Sequence, residues 1–377
     1  MTKLVVLGCG SVGQGFVAAA DTGPQGLELE LYDADPRRLT ECAGLSERVV
    51  GCKVADLSDP EILKEAVRRA DLVVDALPGR LGFRAMKVCG EVGKDVVSVS
   101  FTPEDPLRLG KLYEERGCTL IPDAGFAPGL SNLFVGRALA ELGGADEVRV
   151  YCGGLPERPV PPLGYVVTWS PEDLLEEYTR PARIIAGGRA VSVDPLSSVE
   201  EVEIPGCGVF EAFCTDGLRT MLSTLRGRVV NAAEMTLRYR GHLEKIRLLR
   251  DLGLLSDRPV TVEGVSVVPR KLLARLLDLT LRRPEVRDVA LLYVVARRRE
   301  SSVRYLLRAL PDPSKGLSAM ARVTGLAAYA FTKLLLEGTV PKGVVPPEVL
   351  GESEESYREV VNLVREGGVE IEELREA

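Results

Sequence analysis

The chain reads as an α/β protein, a doubly wound parallel sheet with an inserted α+β domain, and three observations predict this. Short β-branched runs alternate with amphipathic stretches over the first third of the chain. After Pro128-Gly129 that alternation stops and the strand-like runs lengthen. A long apolar helix, Leu317–Leu336, then follows the break at Pro311-Asp-Pro313 and is expected to pack back onto the first sheet. The expected division is therefore 1–128 with 312–377 for the parallel-sheet domain and 129–311 for the insertion. A chain of 377 residues is long enough to need two cores.

Six strands are expected in the first domain: Leu4–Leu7, Leu27–Tyr32, Val49–Val54, Leu72–Leu77, Val96–Val99 and Thr119–Pro122. The first runs into Gly8-Cys-Gly10-Ser11-Val12-Gly13. In that spacing the glycines permit a tight turn, a close approach to a pyrophosphate and close helix packing, and the next helix start supplies amide donors. Asp33 ends the second strand about twenty residues later, where an acid bonds the ribose hydroxyls of NAD. This strand–turn–helix setting marks a Rossmann dinucleotide site. Asp33 repels a 2′-phosphate and so favours NAD, although Arg37 and Arg38 stand near enough to accommodate NADP. Asp56-Leu57 could border the adenine, or could form a solvated cap before Pro60. Ligands of such sheets collect beyond the carboxyl ends of the strands. That places Leu77-Pro78-Gly79, Phe101, and Asp123 with Gly125 around the nicotinamide.

In the second domain, antiparallel strands are expected at Val148–Tyr151, Tyr165–Trp169, Phe210–Thr215, Met235–Tyr239, Val289–Arg297 and Val303–Ala309. Helices are expected near Glu172–Tyr178, Leu218–Thr224, Leu243–Leu252 and Arg270–Leu277. The one histidine of the chain, His242, falls at a strand-to-helix junction. Imidazole titrates near neutrality, so His242 is either a proton-transfer group or a side chain that packs at a helix start.

A net charge of −7 with no basic cluster argues against a nucleic-acid partner. The N-terminus has no signal-peptide core, and no apolar run is expected to reach membrane-spanning length, which points to a cytoplasmic protein. The eight cysteines form no Cys-x-x-Cys pair, so no metal site is expected. Scarce Asn and Gln, with Arg in excess of Lys, resemble thermophilic usage.

The segments Gly8–Gly13, Ala76–Gly79, Pro122–Asn132, Gly153–Pro156, Thr168–Pro171, Glu211–Phe213, Thr215–Arg219 and Thr236–His242 resemble the saccharopine dehydrogenase superfamily over nearly the whole length. Within it the chain is most similar to the NAD-dependent L-lysine 6-dehydrogenases, through Ala127-Pro-Gly129 and Gly241-His242. Trp169-Ser170 instead matches the saccharopine side, and Thr215–Arg219 departs from the bacterial lysine enzymes.

The resemblance implies oxidative deamination of a small amino acid at its ε-amine, which needs a base to deprotonate the ammonium before hydride leaves. His242 or Asp123 would be that base. Arg238 and Arg219 would hold the substrate carboxylate, Glu104 or Asp216 its α-ammonium, and Tyr165, Thr168 and Trp169 would line the methylene chain. Two further readings are a saccharopine-directed enzyme and a dinucleotide-binding protein without turnover. A homodimer is expected, since strands of the second domain offer an edge that a twofold partner could cover.

Overall fold

The computed structural model describes residues 2–23, 25–167, 170–283 and 285–376. Alternating Val and Leu runs build the first sheet from β1 (Thr2–Leu7), β2 (Leu27–Asp33), β3 (Val49–Val54), β4 (Leu72–Asp75), β5 (Asp95–Ser98) and β6 (Thr119–Ile121). Their spatial order is β6-β5-β4-β1-β2-β3, all parallel. β1 is buried throughout its centre because helices cover both faces. A two-residue strand not anticipated from sequence, Gly343–Val344, extends the sheet beyond β6. It is too short to carry a periodic signal.

The second sheet uses β7 (Ala145–Pro156), β8 (Ala182–Ala186), β9 (Arg189–Val193), β10 (Val199–Ile204), β11 (Gly208–Thr215) and β12 (Val229–Arg238). After an isolated hairpin of β13 (Val260–Val262) and β14 (Val265–Val267), it is completed by β15 (Asp288–Arg298), β16 (Ser301–Ala309) and the final strand Glu370–Glu376. β12 and β7 pair parallel, correcting the expectation of antiparallel pairing at that junction; the other pairs are antiparallel. Tyr165–Val167 do not form a strand, and Thr168 and Trp169 lie outside the described residues. The last strand pairs with β16, placing the tail in the second sheet.

Helices Leu130–Leu142 and Ala319–Leu336 share one buried core with both sheets. Ala319–Leu336 lies against helix Ser11–Ala20 backbone to backbone. A Cβ on Gly325 would stand 2.1 Å from the Gly15 carbonyl carbon. This helix corrects the expectation about membrane-length runs: at 18 residues and mean hydropathy 1.2 it reaches that length, and 67% of it is buried within the fold.

Candidate functional site

The glycine loop after β1 is closed by contacts that only glycine permits. Gly8 has φ +97°, and a Cβ there would sit 2.6 Å from the Ala76 carbonyl oxygen; one on Gly13 would sit 2.1 Å from the Gly8 oxygen. Gly10 differs, because a Cβ there would meet nothing within 4 Å. Gly8 and Gly13 therefore hold the loop tight, while Gly10 keeps the approach to the helix start open. Gly10 is also the N-cap of Ser11–Ala20, and no side chain caps that end. A diphosphate fits this arrangement. Ser11 is exposed and Val12 half-buried at the same turn. The Asp33 carboxylate accepts Cys9 N–H at 2.7 Å and Asp35 N–H at 2.8 Å, which fixes it at the end of β2 where a ribose would lie.

Two strand-end loops are clamped together by a buried acid that the sequence reading did not single out. Asp75, fully buried, accepts from Leu77 N at 3.1 Å and Ser98 Oγ at 2.8 Å. Ser100 Oγ donates to Leu77 O at 2.8 Å. Burial pushes the Asp75 carboxyl up to about 6, against the pull of the Ser98 and Leu77 hydrogen bonds. Gly79 is pressed onto the neighbouring loop, so that a Cβ there would stand 2.0 Å from Phe101 O. Leu77, Pro78, Gly79 and Phe101 thus form one wall at the carboxyl end of the sheet. The signal available in the sequence was an acid at a strand end directly before Ala76-Leu-Pro-Gly79.

Asp123 and Arg219 meet across the two domains. Both are non-glycine residues at positive φ, 51° and 52°. The turn at Arg219 shortens the expected helix Leu218–Thr224 to Met221–Thr224. This conformation costs energy for any residue with a Cβ, and here it aims the guanidinium at Asp123. Nε and one terminal nitrogen of Arg219 each stand 3.2 Å from Asp123 Oδ1, and Arg219 also donates to the Thr102 carbonyl and hydroxyl. Asp123 Oδ2 is buried with no hydrogen-bond partner. Burial raises the Asp123 carboxyl above the usual range although Arg219 opposes the shift. The Arg219 guanidinium lies 4.5 Å from the centre of the Phe101 ring, and Arg180, half-buried, lies 5.1 Å from the same ring. Arg180 pairs loosely with Glu176 at 3.5 Å, and its Nε is buried without a partner.

His242 is tied at both ring nitrogens. Leu163 O can only accept, so Nδ1, 2.8 Å away, carries the proton. Nε2 therefore accepts from Tyr178 Oη at 2.8 Å, and Tyr178 in turn accepts from Arg238 Nε at 3.0 Å. Burial, reinforced by the Arg238 charge, pulls the imidazole down to about 3. The role of base expected for His242 is not carried by this geometry: both nitrogens are occupied by protein and the ring is 1% exposed.

Arg238, 2% exposed, donates to Tyr178, Leu237 O and Glu177 Oε2, and lies over the Tyr165 ring at 4.5 Å. Tyr165 is correspondingly packed against Arg238 and His242. Asp216 is held by Arg183 through two bonds of 2.8 Å, and Glu104 is exposed. Asp216 is therefore taken by Arg183 and not left for the ammonium group expected there. Asp56 is exposed in a turn with Ser58, while Leu57 is buried. Gly125 is buried where a Cβ would lie 3.2 Å from Pro128 O.

Two further acids, Glu234 buried and Glu177 half-buried, were not anticipated. Glu234 accepts from Cys152 Sγ at 2.7 Å and Thr215 Oγ1 at 2.6 Å; Glu177 holds Arg238. Burial raises both carboxyls, with Arg238 opposing the shift at Glu177. A strand-interior Glu and a helix-end Glu look like solvated residues in sequence. Only the fold buries Glu234 and half-buries Glu177. A cavity of about 870 Å³ lies away from this chemistry, beside Gly15, Arg322 and Tyr329.

The family model for the saccharopine dehydrogenase NADP-binding domain matches residues 4–121, and that for the saccharopine dehydrogenase C-terminal domain matches residues 125–369. The chain belongs to the saccharopine dehydrogenase family. The alpha-aminoadipic semialdehyde synthase of Arabidopsis thaliana is 25% identical over 240 residues, 60% of this chain and 22% of that one. The saccharopine dehydrogenase [NADP(+), L-glutamate-forming] of Saccharomyces cerevisiae is 26% identical over 215 residues, 54% of this chain and 48% of that one. The chain thus spans between about a fifth and a half of the length of these relatives. The carboxynorspermidine synthase of Vibrio cholerae is 22% identical across 70% of both chains. The apo structure of the L-Glu-forming saccharopine dehydrogenase from Saccharomyces cerevisiae superposes with a TM-score of 0.80 over 100% of each chain at 19% identity, which shows a shared fold.

Proposed function

We propose that this protein is a nicotinamide-dinucleotide-dependent oxidoreductase that oxidises the C–N bond of a small amino acid, with the ε-amine of L-lysine as the reacting group. The observation that carries this reading is Asp123: one carboxylate oxygen is gripped by Arg219 and the other is buried and unpartnered, at the carboxyl end of β6. Bound at the Gly8–Gly13 loop, the dinucleotide would supply the hydride acceptor. Asp123 Oδ2 would take a proton from the substrate ammonium so that its nitrogen lone pair can drive hydride loss. The imine so formed is hydrolysed by water to ammonia and 2-aminoadipate 6-semialdehyde, which closes onto its own α-amine as piperideine carboxylate. Arg219 orients Asp123 and opposes the burial that raises its carboxyl.

Arg180 supports a substrate with a single carboxylate. Arg219, Arg238 and Arg183 are each held closely by a carboxylate of the protein, whereas Arg180 meets Glu176 only at 3.5 Å through a terminal nitrogen and keeps a buried Nε unpartnered beside Phe101. The activity named for the Saccharomyces cerevisiae relative favours a second reading, saccharopine as substrate, which would require further cationic contacts for its extra carboxylates. Asp33 supports NAD over NADP, against the NADP in the name of the matching domain.

The test is reduced-cofactor formation by purified protein with L-lysine or saccharopine, each with NAD or NADP. Lysine-dependent turnover with NAD and stoichiometric ammonia is expected. Turnover with saccharopine alone, releasing glutamate, would transfer the assignment to the second reading. Cofactor binding without turnover on either would leave a dinucleotide-binding protein.

A further inference from the structure

Glu348 is 1% exposed, yet the groups that hold it are neutral. Its Oε2 accepts from Asn132 Nδ2 at 3.0 Å and its Oε1 from Thr224 Oγ1 at 2.8 Å. Burying a carboxylate is costly, and an apolar side chain of similar size would pack there without that cost. What the acid adds is two acceptors on one planar group, and here they reach two different elements.

Helix Pro347–Glu352, which carries Glu348, lies against helix Leu130–Leu142 backbone to backbone. A Cβ on Gly136 would stand 1.9 Å from Glu348 O, and one on Gly351 2.1 Å from Leu133 O. Asn132, in the first turn of Leu130–Leu142, accepts through Oδ1 from Gly129 N at 3.3 Å. Gly125 O accepts from Leu130 N at 2.9 Å, and a Cβ on Gly129 would stand 1.9 Å from that oxygen. Asp123 lies two residues before Gly125, so this arm fixes the loop that presents it. Thr224 closes the short helix Met221–Thr224 and donates to Thr220 O from N at 3.1 Å and from Oγ1 at 3.2 Å. Arg219 precedes Thr220, and its own carbonyl accepts Leu222 N at 3.2 Å. The second arm therefore fixes the turn that aims the guanidinium.

We propose that Glu348 is a positioning residue, which locks the Asp123 loop to the Arg219 turn and so sets the 3.2 Å grip of Arg219 on Asp123. This role, which rests on Asp123 being the base proposed above, is exerted through Asn132 and Thr224 and not on the reacting atoms. Losing either arm frees one side of the pair to drift, and a small misplacement of a catalytic group is enough to slow turnover.

Full-chain wild type, Thr224→Val, Glu348→Ala and Glu348→Gln are compared, each checked for an unchanged circular dichroism spectrum. One readout is steady-state turnover of L-lysine with NAD. The other needs no substrate: the titration of the Asp123 carboxyl carbon by NMR in protein with isotope-labelled aspartate, its signal assigned by its loss in Asp123→Asn. Thr224→Val and Glu348→Ala should lower kcat about ten- to a hundredfold with KM for the dinucleotide unchanged. They should also raise the Asp123 midpoint by about one pH unit, because the Arg219 charge that opposes burial is loosened. Glu348→Gln should recover most of both changes, since its amide oxygen can accept from Asn132 while its NH2 donates to Thr224. A wild-type kcat and Asp123 midpoint in folded Thr224→Val and Glu348→Ala would overturn the proposal, as would a lowered melting temperature as their only change. Wild type without lysine-dependent turnover would overturn the proposed reaction alone, and the Asp123 midpoint would then decide the role of Glu348.

Discussion

Asp123 and His242 show how burial assigns different roles to two titratable side chains. Asp123 keeps one oxygen without a partner, and Asp123→Asn removes the base while preserving shape. Turnover should fall by about 10²–10⁴-fold with cofactor affinity, followed by fluorescence, nearly unchanged. Equal losses in turnover and cofactor binding would instead mark Asp123 as a folding residue only. His242 is neutral in the fold because burial depresses its pKa to about 3. A depressed histidine stabilises the fold fully above its unfolded value near 6.5 and loses that contribution as pH falls toward 3. The loss amounts to about 1.4 kcal/mol per pH unit within that window. Buried carboxyls whose values are raised, such as Glu234, act in the opposite direction, so the histidine contribution must be isolated by difference. His242→Gln should flatten the stability profile between pH 6 and 4 in urea titrations, and the pH optimum for turnover should stay where it is. A displaced optimum would return His242 to proton transfer.

At the scale of elements, the wall expected to face the nicotinamide depends on two loops touching through backbone. Asp75 ties Leu77 to Ser98, and Gly79 presses on Phe101 O. A Cβ at Gly79 would stand 2.0 Å from that oxygen, so the loops must separate to admit it. Gly79→Ala should lower the melting temperature by several degrees, for a cost of about 1–3 kcal/mol, and should raise KM for the cofactor about tenfold. An unchanged cofactor KM would show that this contact does not shape the nicotinamide wall.

For the molecule as a whole, the final strand Glu370–Glu376 closes the second sheet beside β16. Arg375 within it reaches back to Glu141 at 2.8 Å, bracing helix Leu130–Leu142 of the shared core. Ending the chain after Gly368 would leave β16 as a bare edge and sever that ion pair. The shortened protein should melt earlier and aggregate on heating, read by light scattering, while the glycine-loop site keeps its fold. Melting identical to the full chain would show that the strand is dispensable.

The six parallel strands, the glycine loop and the acid at the end of β2 were legible in sequence. Each is a local pattern: continuous apolar runs for central strands such as β1 and β4, alternation in β2 and β3, glycines at fixed spacing, and an acid at a strand end. The long helix returning to Ser11–Ala20 was legible too, because a Pro-bounded apolar run must be buried somewhere. The partner of each charged side chain was not legible. Arg219 reaches Asp123 from 96 residues away, Arg238 turns to Glu177 and Tyr178, and Asp216 is taken by Arg183. Sequence alone determined which groups with acid, base and dinucleotide chemistry the chain possesses and which sheet would carry the cofactor loop. Tertiary structure decided which groups keep a free lone pair or donor. That depends on long-range pairing and burial, where removing water raises the cost of every unpaired charge.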